Sequence, residues 1–502
     1  MRTNRTWLGL IILMLPTLIV AMDLTALLLA LPALAADLGA SNVEQLWISD
    51  SYGLVVAALV ITMGTLGDRI GRRRLLLIGA AAFATLSLLA ATVTSPTQLI
   101  VLRALLGVAG ATLTPCTLAL ITTMFPDPHD RGRAIAAWAT AQFTGGALGP
   151  VLAGLLLQHF RWGSIFLLAV PPMLLLLATG RLLLPEHRAE QPGRLDPASV
   201  ALSLTAVLLL IYSLKQGTAG GTTAAPLTAL LLGTATAWLF VRRQARLATP
   251  LLDLRLFRDR TVTTVIVALI GAGIAMAGTG LLVTQYLQGV LGYSPALAAV
   301  LFAPMGLGVA AGTMTAPAVA RRLPAPTAIA AGLALSALGS LLLLAGSLPA
   351  IMLGITVLAL GTGPLFALGT GQILAAVPPA RAGAAAAMSE TGNYFGGSLG
   401  FALLGVLAAV IYRTRMHGTS DSLAGALATS HQLPAAEATT LLHEARAAFT
   451  TSLHGTALTA ALIFTALALL THTTRRVPAP SAEPAVPVRP PAEARQHPSH
   501  GG

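Results

Sequence analysis

An all-α membrane protein with fourteen transmembrane helices is what this sequence predicts, on three observations. Of its 502 residues, 55% are hydrophobic and only 10% are charged, a mixture too apolar for an ordinary soluble domain. The apolar residues gather into fourteen stretches of about 20 residues, the length that crosses a bilayer as a helix. Most of the thirty Lys and Arg fall in alternate connections between those stretches, the bias expected of a polytopic protein.

The first stretch, 7–33, follows only MRTNRT and has no small-residue cleavage site, so it reads as a retained helix. The stretches 46–67, 75–94, 98–124, 133–157 and 163–184 complete a first group of six. Residues 1–184 are therefore expected to form an N-terminal six-helix half. Two more spans, 195–214 and 225–243, are followed by QARLATPLLDLRLFRDRT at 244–261, where leucines alternate with arginines as in an amphipathic surface helix. This linker region, 185–261, is expected to hold two extra helices. The spans 262–289, 295–319, 327–346, 350–375, 382–411 and 449–471 form a second six-helix half over 262–471. Its segment 412–448 has helical spacing but is too polar to span, and an external hairpin is expected there. The Pro-rich residues 472–502 read as a disordered tail. GTLGDRIGRRR after the second span and APAVARRLP after the tenth form a faint repeat, common in secondary transporters.

The net charge of +12 does not point to nucleic acid, because the arginines sort by side. Arg2, Arg5, Arg69, Arg72, Arg73, Arg74, Arg321 and Arg322 share one side, placing both termini in the cytoplasm of a plasma-membrane protein. A single cysteine, Cys116, excludes an intramolecular disulfide and a CxxC metal site, and no metal or cofactor is expected. A GxxxxGK[ST] motif is absent, which argues against ATP coupling. The histidines lie mostly in loops and tails, so no nucleophile, base or ligand set points to an enzyme.

Three acids, Asp23, Asp50 and Glu390, fall inside predicted spans. Each costs about 2.5–3.5 kcal/mol at mid-bilayer if charged, so they are expected to line a polar path. The alternative is a carboxylate neutralised by protonation or by a bond between helices. Arg103 enters the fourth span at a depth similar to Asp50, and an Asp50–Arg103 pair is expected, structural or gating. Burial raises a carboxylate's pKa and a nearby cation lowers it, so such a site can trade a proton for a cationic ligand. Trp47, Tyr52, Trp138, Phe143, Tyr286, Tyr394, Met22 and Met276 are candidates for the cavity surface through cation–π and sulfur contacts, with core or lipid packing as the alternative for each. Gly145, Gly149 and Gly154 around Pro150, and Gly392, Gly396 and Gly400, repeat at intervals that let helices approach closely.

GTLGDRIGRRRLLL, with Gly64, Asp68, Gly71, Arg72 and Arg73, resembles the signature between helices two and three of the major facilitator superfamily. LRALLGVAGA, with Arg103 and Gly107, resembles its fourth-helix signature, and GGALGPVLAG resembles the fifth-helix signature typical of antiporters. With AMDLTALLLALP, QLWISDSY and PLLDLRLF, residues 7 to 471 are similar to the fourteen-helix drug–proton antiporters of QacA type. The resemblance implies a major facilitator fold of two six-helix halves plus two central helices. It also implies that Asp23, Asp50 and Glu390 handle protons or substrate with Arg103 as partner. Asp68 and the arginines after it would be a cytoplasmic latch favouring the outward-facing state, and the glycines about Pro150 a bending helix. Two departures stand out: Val309 or a neighbour occupies the tenth-span place where some relatives carry an acid, and APAVARRLP lacks the latch acid.

The function these readings imply is proton-coupled export of lipophilic, mainly monovalent cations by a functional monomer, with protons and membrane lipid as its other partners. Two rivals remain at this stage. One is export of a neutral or anionic metabolite or antibiotic; the other, an intramembrane enzyme, lacks its chemistry.

Overall fold

The computed structural model describes residues 2–188, 196–217, 224–247, 250, 254–376 and 382–473. The first six spans become α1 (Arg2–Leu38), α2 (Asn42–Ile70), α3 (Arg72–Ala90), α4 (Pro96–Met124), α5 (Pro128–His159) and a broken sixth, α6 (Ser164–Leu167) with α7 (Val170–Leu183). The break precedes Pro171 and Pro172 at the start of α7, where two missing backbone donors are tolerated only in a first turn. The central pair is α8 (Pro197–Gly217) and α9 (Ala224–Arg246). The second group is α10 (Arg260–Gln285), continued by a π-helical turn at Tyr286–Val290, then α11 (Pro295–Ala320), α12 (Ala325–Leu342), α13 (Leu348–Ala376), α14 (Ala382–Met416), the short α15 (Leu423–Ser430) and α16 (Ala435–Thr473). Among the described residues there are no strands. Thirteen helical segments are long and apolar enough to cross a membrane, and Pro197–Ser213 within α8 adds a shorter apolar one.

Local chemistry starts these helices where they start. Ser41 and Glu44 form a reciprocal capping box at α2, Ser95 caps α4, Asp259 caps α10 and Ser294 caps α11, each satisfying backbone donors left over by the first turn. Gly71 separates α2 from α3 at φ 109°, a conformation that glycine adopts without the cost of a side chain.

Two regions differ from the sequence expectation. The segment 412–448 does fold back on itself, with α15 packed on α16, but it is continuous with the spans on either side. It supplies the end of α14, the two-turn α15 and the first turns of α16, whose apolar stretch simply continues outward with Ala445, Ala448 and Phe449 buried. The stretch 244–261 is not a surface amphipathic helix in its described part. Leu254–Arg258 is one 3-10 turn, and Leu256 is buried in a core with Val265, Leu333 and Phe464. Residues 248–249 and 251–253 of that stretch, and the tail from 474 on, lie outside the described residues.

Packing follows the glycines. α5 lies along α1 because Gly145 meets the backbone of Leu18 and Gly149 that of Met22. α14 lies along α10 in the same way, with Gly396 against Ile270 and Gly400 against Ile274. With no side chain between them, backbones approach to a distance that larger residues forbid. α2 pairs with α4 in the first group, and α11 with α13 in the second. The groups meet along two seams, α5 with α11 and α2 with α14. Close contacts at these seams pair Ala147 with Gly306, Gly154 with Pro295 and Ala299, and Leu46 with Gly405. They lie from mid-helix toward the end of the bundle opposite the chain termini, the distal end. On α2 the change is abrupt: residues 48–57 are buried, whereas 61–66, nearer the termini end, are all partly exposed. On this face of α2 the seam is thus sealed distally and more open toward the termini.

Candidate functional site

α2 and α4 are drawn together by Gly107, which faces the Tyr52 carbonyl, and Gly110, which faces the Tyr52 hydroxyl. That approach carries Arg103, on the preceding turn of α4, into a closed pocket where its exposure is 0%. Its Nη1 donates to Oδ2 of Asp23 on α1, its Nε donates to the Ile48 carbonyl at 3.2 Å, and its guanidinium lies 4.7 Å from the centroid of the Tyr52 ring. Tyr52 is in turn held edge-on by Phe83 of α3, with centroids 6.4 Å apart. Three helices, α1, α2 and α4, therefore meet at one guanidinium, with α3 behind Tyr52. Arg103 Nη2 has no hydrogen-bond partner among the described residues.

The partner expected for Arg103 was Asp50, and the structure corrects it to Asp23. The reason is helical geometry. Asp50 lies two residues past Ile48, and successive residues on a helix point about 100° apart; Ile48 offers its carbonyl to Arg103 while α1 presents Asp23 from the other side. Asp50 is nevertheless fully buried on the same stretch of α2. Glu390 lies on α14, and its side chain is outside the described residues, as is that of Phe143 on α5.

The aromatic and sulfur candidates scatter. Tyr52 belongs to the Arg103 cluster. Met22 is buried next to Asp23 where Gly149 of α5 presses on its backbone. Trp138 is buried and donates from Nε1 to Thr117 at 3.1 Å, inside the first half. Tyr286 is buried at the distal end, its hydroxyl 3.5 Å from the Gly346 carbonyl. Trp47 packs with Val207 and Leu399 around Leu54, Ile211 and Ala402. Tyr394 is buried in the main core and Met276 packs at the edge of both cores.

At the termini end, Asp68 pairs with Arg72 at 2.6 Å, and Arg72 lies over Gly67 beside Cys116. Gly64 faces Pro115 and Arg72. Among the described residues, Arg72 and Arg73 pair within the first half and the residues just past it. The Arg73 amide donates to Glu186 at 3.1 Å, and its Nη1 donates to the Leu184 carbonyl at 2.9 Å, while the Arg72 amide donates to the His187 carbonyl. Glu186 also closes over Gly71, leaving no room for a side chain there. Sequence reasoning overlooked Glu186; its signal was an acid immediately past the sixth span, on the same side as the arginines that follow the second span. It also overlooked the clamp that ties α8 to α9, where Arg243 donates to both oxygens of Asp196 at 2.7 and 2.8 Å and Gln244 donates to Ser199 at 2.7 Å. Asp196 lies just outside the apolar part of α8, and the Arg243 guanidinium holds its carboxyl well below the ordinary range. Among the described residues no cluster of His, Cys, Asp and Glu gathers as a metal site.

A buried cation–carboxylate pair between two long apolar helices suits transport of small molecules across a membrane. Comparison with known proteins agrees. The chain is 42% identical over 480 residues to the multidrug efflux pump LfrA of Mycolicibacterium smegmatis, covering 93% of this chain and 95% of that one. It is 34% identical over 473 residues to the methyl viologen resistance protein SmvA of Salmonella typhimurium, covering 91% and 95%. A bacterial homolog of the human lysosomal transporter Spinster, in its inward-facing and unoccupied conformation, shares the fold with a TM-score of 0.64 at 15% identity, covering 95% of this chain and 99% of that one. Residues 13–401 match the model of the Major Facilitator Superfamily, and the chain belongs to that family as a multi-pass membrane transporter related to drug efflux pumps.

Proposed function

We propose that the protein exports lipophilic, mainly monovalent organic cations in exchange for protons, by alternating access of its two halves. The observation that carries this is the Arg103–Asp23 pair. Arg103 is seated by the Ile48 carbonyl and the Tyr52 ring as well as by Asp23, so it keeps its place when the carboxylate changes state. Asp23 keeps a side-chain exposure of 11%, and its carboxylate can therefore be reached by a proton. A buried pair gives little net stability, while breaking it from one side is costly; protonating Asp23 is such a break. A proton on Asp23 and a cation beside it are mutually exclusive, which is the coupling an antiporter needs. Asp50 and Glu390 supply further proton sites, and no cofactor takes part. With the termini in the cytoplasm, the open end faces inward and the present state is the one that loads substrate. The contacts of Asp68, Arg72 and Arg73 then serve as the latch, exchanged as the halves rock.

Energetics set the stoichiometry. A proton entering through 100 mV releases about 2.3 kcal/mol, and a monovalent cation leaving costs as much. One-for-one exchange is driven by the pH difference alone, and use of the potential requires at least two protons per cation. The same pair also favours a second reading, export of a neutral drug, because Arg103 already compensates Asp23. Proton release on binding separates the two. Purified protein in weak buffer is titrated with ethidium while a pH dye is followed. Cation export predicts proton release in the wild type that is lost in Asp23→Asn. Ethidium binding without proton release, in protein that also binds neutral drugs, would reject coupling through Asp23.

A further inference from the structure

A cavity of about 310 Å³ lies at the distal end of the seam between the halves. It is separate from the Arg103 cluster. Leu31 of α1 lines it, eight residues beyond Asp23, or roughly 12 Å along the helix at 1.5 Å per residue. Leu31 and Gln45 come from the first half, Leu281 and Ala408 from the second, and Leu423 and Leu427 from α15, which roofs it. The cavity exists only while both halves and the roof are together.

Its chemistry is that of a ligand site. The volume sits at the lower end of the roughly 300–1,000 Å³ of small-molecule pockets. Tyr293, Tyr412 and Phe449 add aromatic surface, on which a cation is favoured. Tyr412 is 3% exposed, and its hydroxyl lies within hydrogen-bond reach of Ser420 in the connection before α15, which sets a polar edge on an otherwise apolar lining. Gln285, Gln288 and Gly289 enter the lining from the end of α10 and its π-helical turn, an irregularity frequent at functional sites. Among the described lining residues Asp421 is the only charged one, at the rim and paired with Arg413 at 3.0 Å.

We propose that this cavity is a second binding site for a lipophilic monovalent organic cation, filled while the distal end is closed and emptied as the halves part. The inference rests on the exporter reading above. A ligand touching both halves and the roof favours the closed state over the open one, so a high concentration of exported drug at the distal side slows turnover.

The test is photolabelling of the purified full-length protein with an azido derivative of ethidium, followed by peptide mapping. Labelled peptides are expected within 281–293 and 412–427 and, separately, around Asp23. In Ala424→Trp, and independently in Ala409→Trp, the indole fills the cavity from the roof or from α14. Distal labelling then falls about tenfold, equivalent to about 1.4 kcal/mol, while labelling around Asp23 persists. Excess tetraphenylphosphonium removes both. Two outcomes overturn the proposal: labelling confined to the Asp23 region, or distal labelling that neither tryptophan nor tetraphenylphosphonium reduces, which would mark a lipid chain as the occupant. Absence of labelling anywhere would instead reject the cation-exporter reading itself.

Discussion

Arg103 illustrates how one buried charge organises a helical bundle. Its guanidinium is held by a carboxylate, a backbone carbonyl and an aromatic face, and each belongs to α1 or α2. Truncating it leaves Asp23 buried without its cation, a change that costs about 3–5 kcal/mol when one member of a buried pair is removed. Arg103→Ala is expected to lower thermal stability in detergent sharply, and Arg103→Lys to recover only part, because an ammonium lacks the planar fork that serves Asp23, Ile48 and Tyr52 together. An Arg103→Ala protein as stable as the wild type would show that the pair does not bear on folding. Gly110 is as demanding in its own way: a Cβ there would sit 2.5 Å from the Tyr52 hydroxyl. Gly110→Val is expected to push α2 from α4, a strain of roughly 1–3 kcal/mol for overpacking, measurable as a lower melting temperature with Asp23 function impaired alongside.

Elements were more legible in the sequence than sites. Apolar length alone placed the thirteen segments long and apolar enough to cross a membrane, since a bilayer demands about 20 apolar residues regardless of what they touch. The glycine spacing on α5 and α14 was visible as well, because both helices face a backbone. What the sequence did not show was which helix each polar group turns toward. The pairing of Arg103 with Asp23 rather than Asp50 depends on rotation about the helix axis, and the inward turn of Leu256 depends on a core built from distant residues. α8 and α9 are tied at one end by the Asp196–Arg243 clamp. Because the pairing depresses the Asp196 pKa, the stability it contributes is present above the ordinary carboxylate value of about 3.9 and is lost as pH falls through the still lower folded value. Hydrogen exchange in residues 196–203 is therefore expected to stay slow from neutral pH down past that value, and to be fast at neutral pH in Asp196→Asn. Equal protection in the two proteins would show that the clamp holds nothing.

At the scale of the whole molecule, the two halves make their close seam contacts from mid-helix to the distal end. α8 lies across one of the two seams. Val200 and Leu204 pack on Val55, Leu59 and Ala111 of the first half, while Ile211 meets Ala402 of α14. Among the described residues α8 braces only that seam, and the other, α5 with α11, is the natural place to arrest the cycle. In Gly154→Cys with Ala299→Cys, both at the distal end of that seam, the two Cβ positions lie 2.8 Å apart, closer than the roughly 3.5–4.5 Å of a disulfide, so a slight parting of α5 from α11 is expected to let the bond form, while the buried Cys116 stays apart. Oxidation then stops export and reductant restores it. Undiminished export with the bond formed would mean that the distal end does not open in transport.

The most direct test of proton-coupled export is made in proteoliposomes holding an internal pH dye, with an imposed gradient and ethidium or a quaternary ammonium compound added to wild type and to Asp23→Asn. The account predicts substrate-dependent proton movement in the wild type and none in the mutant. Full proton movement in Asp23→Asn, or none with any cation in folded wild-type protein, would contradict it.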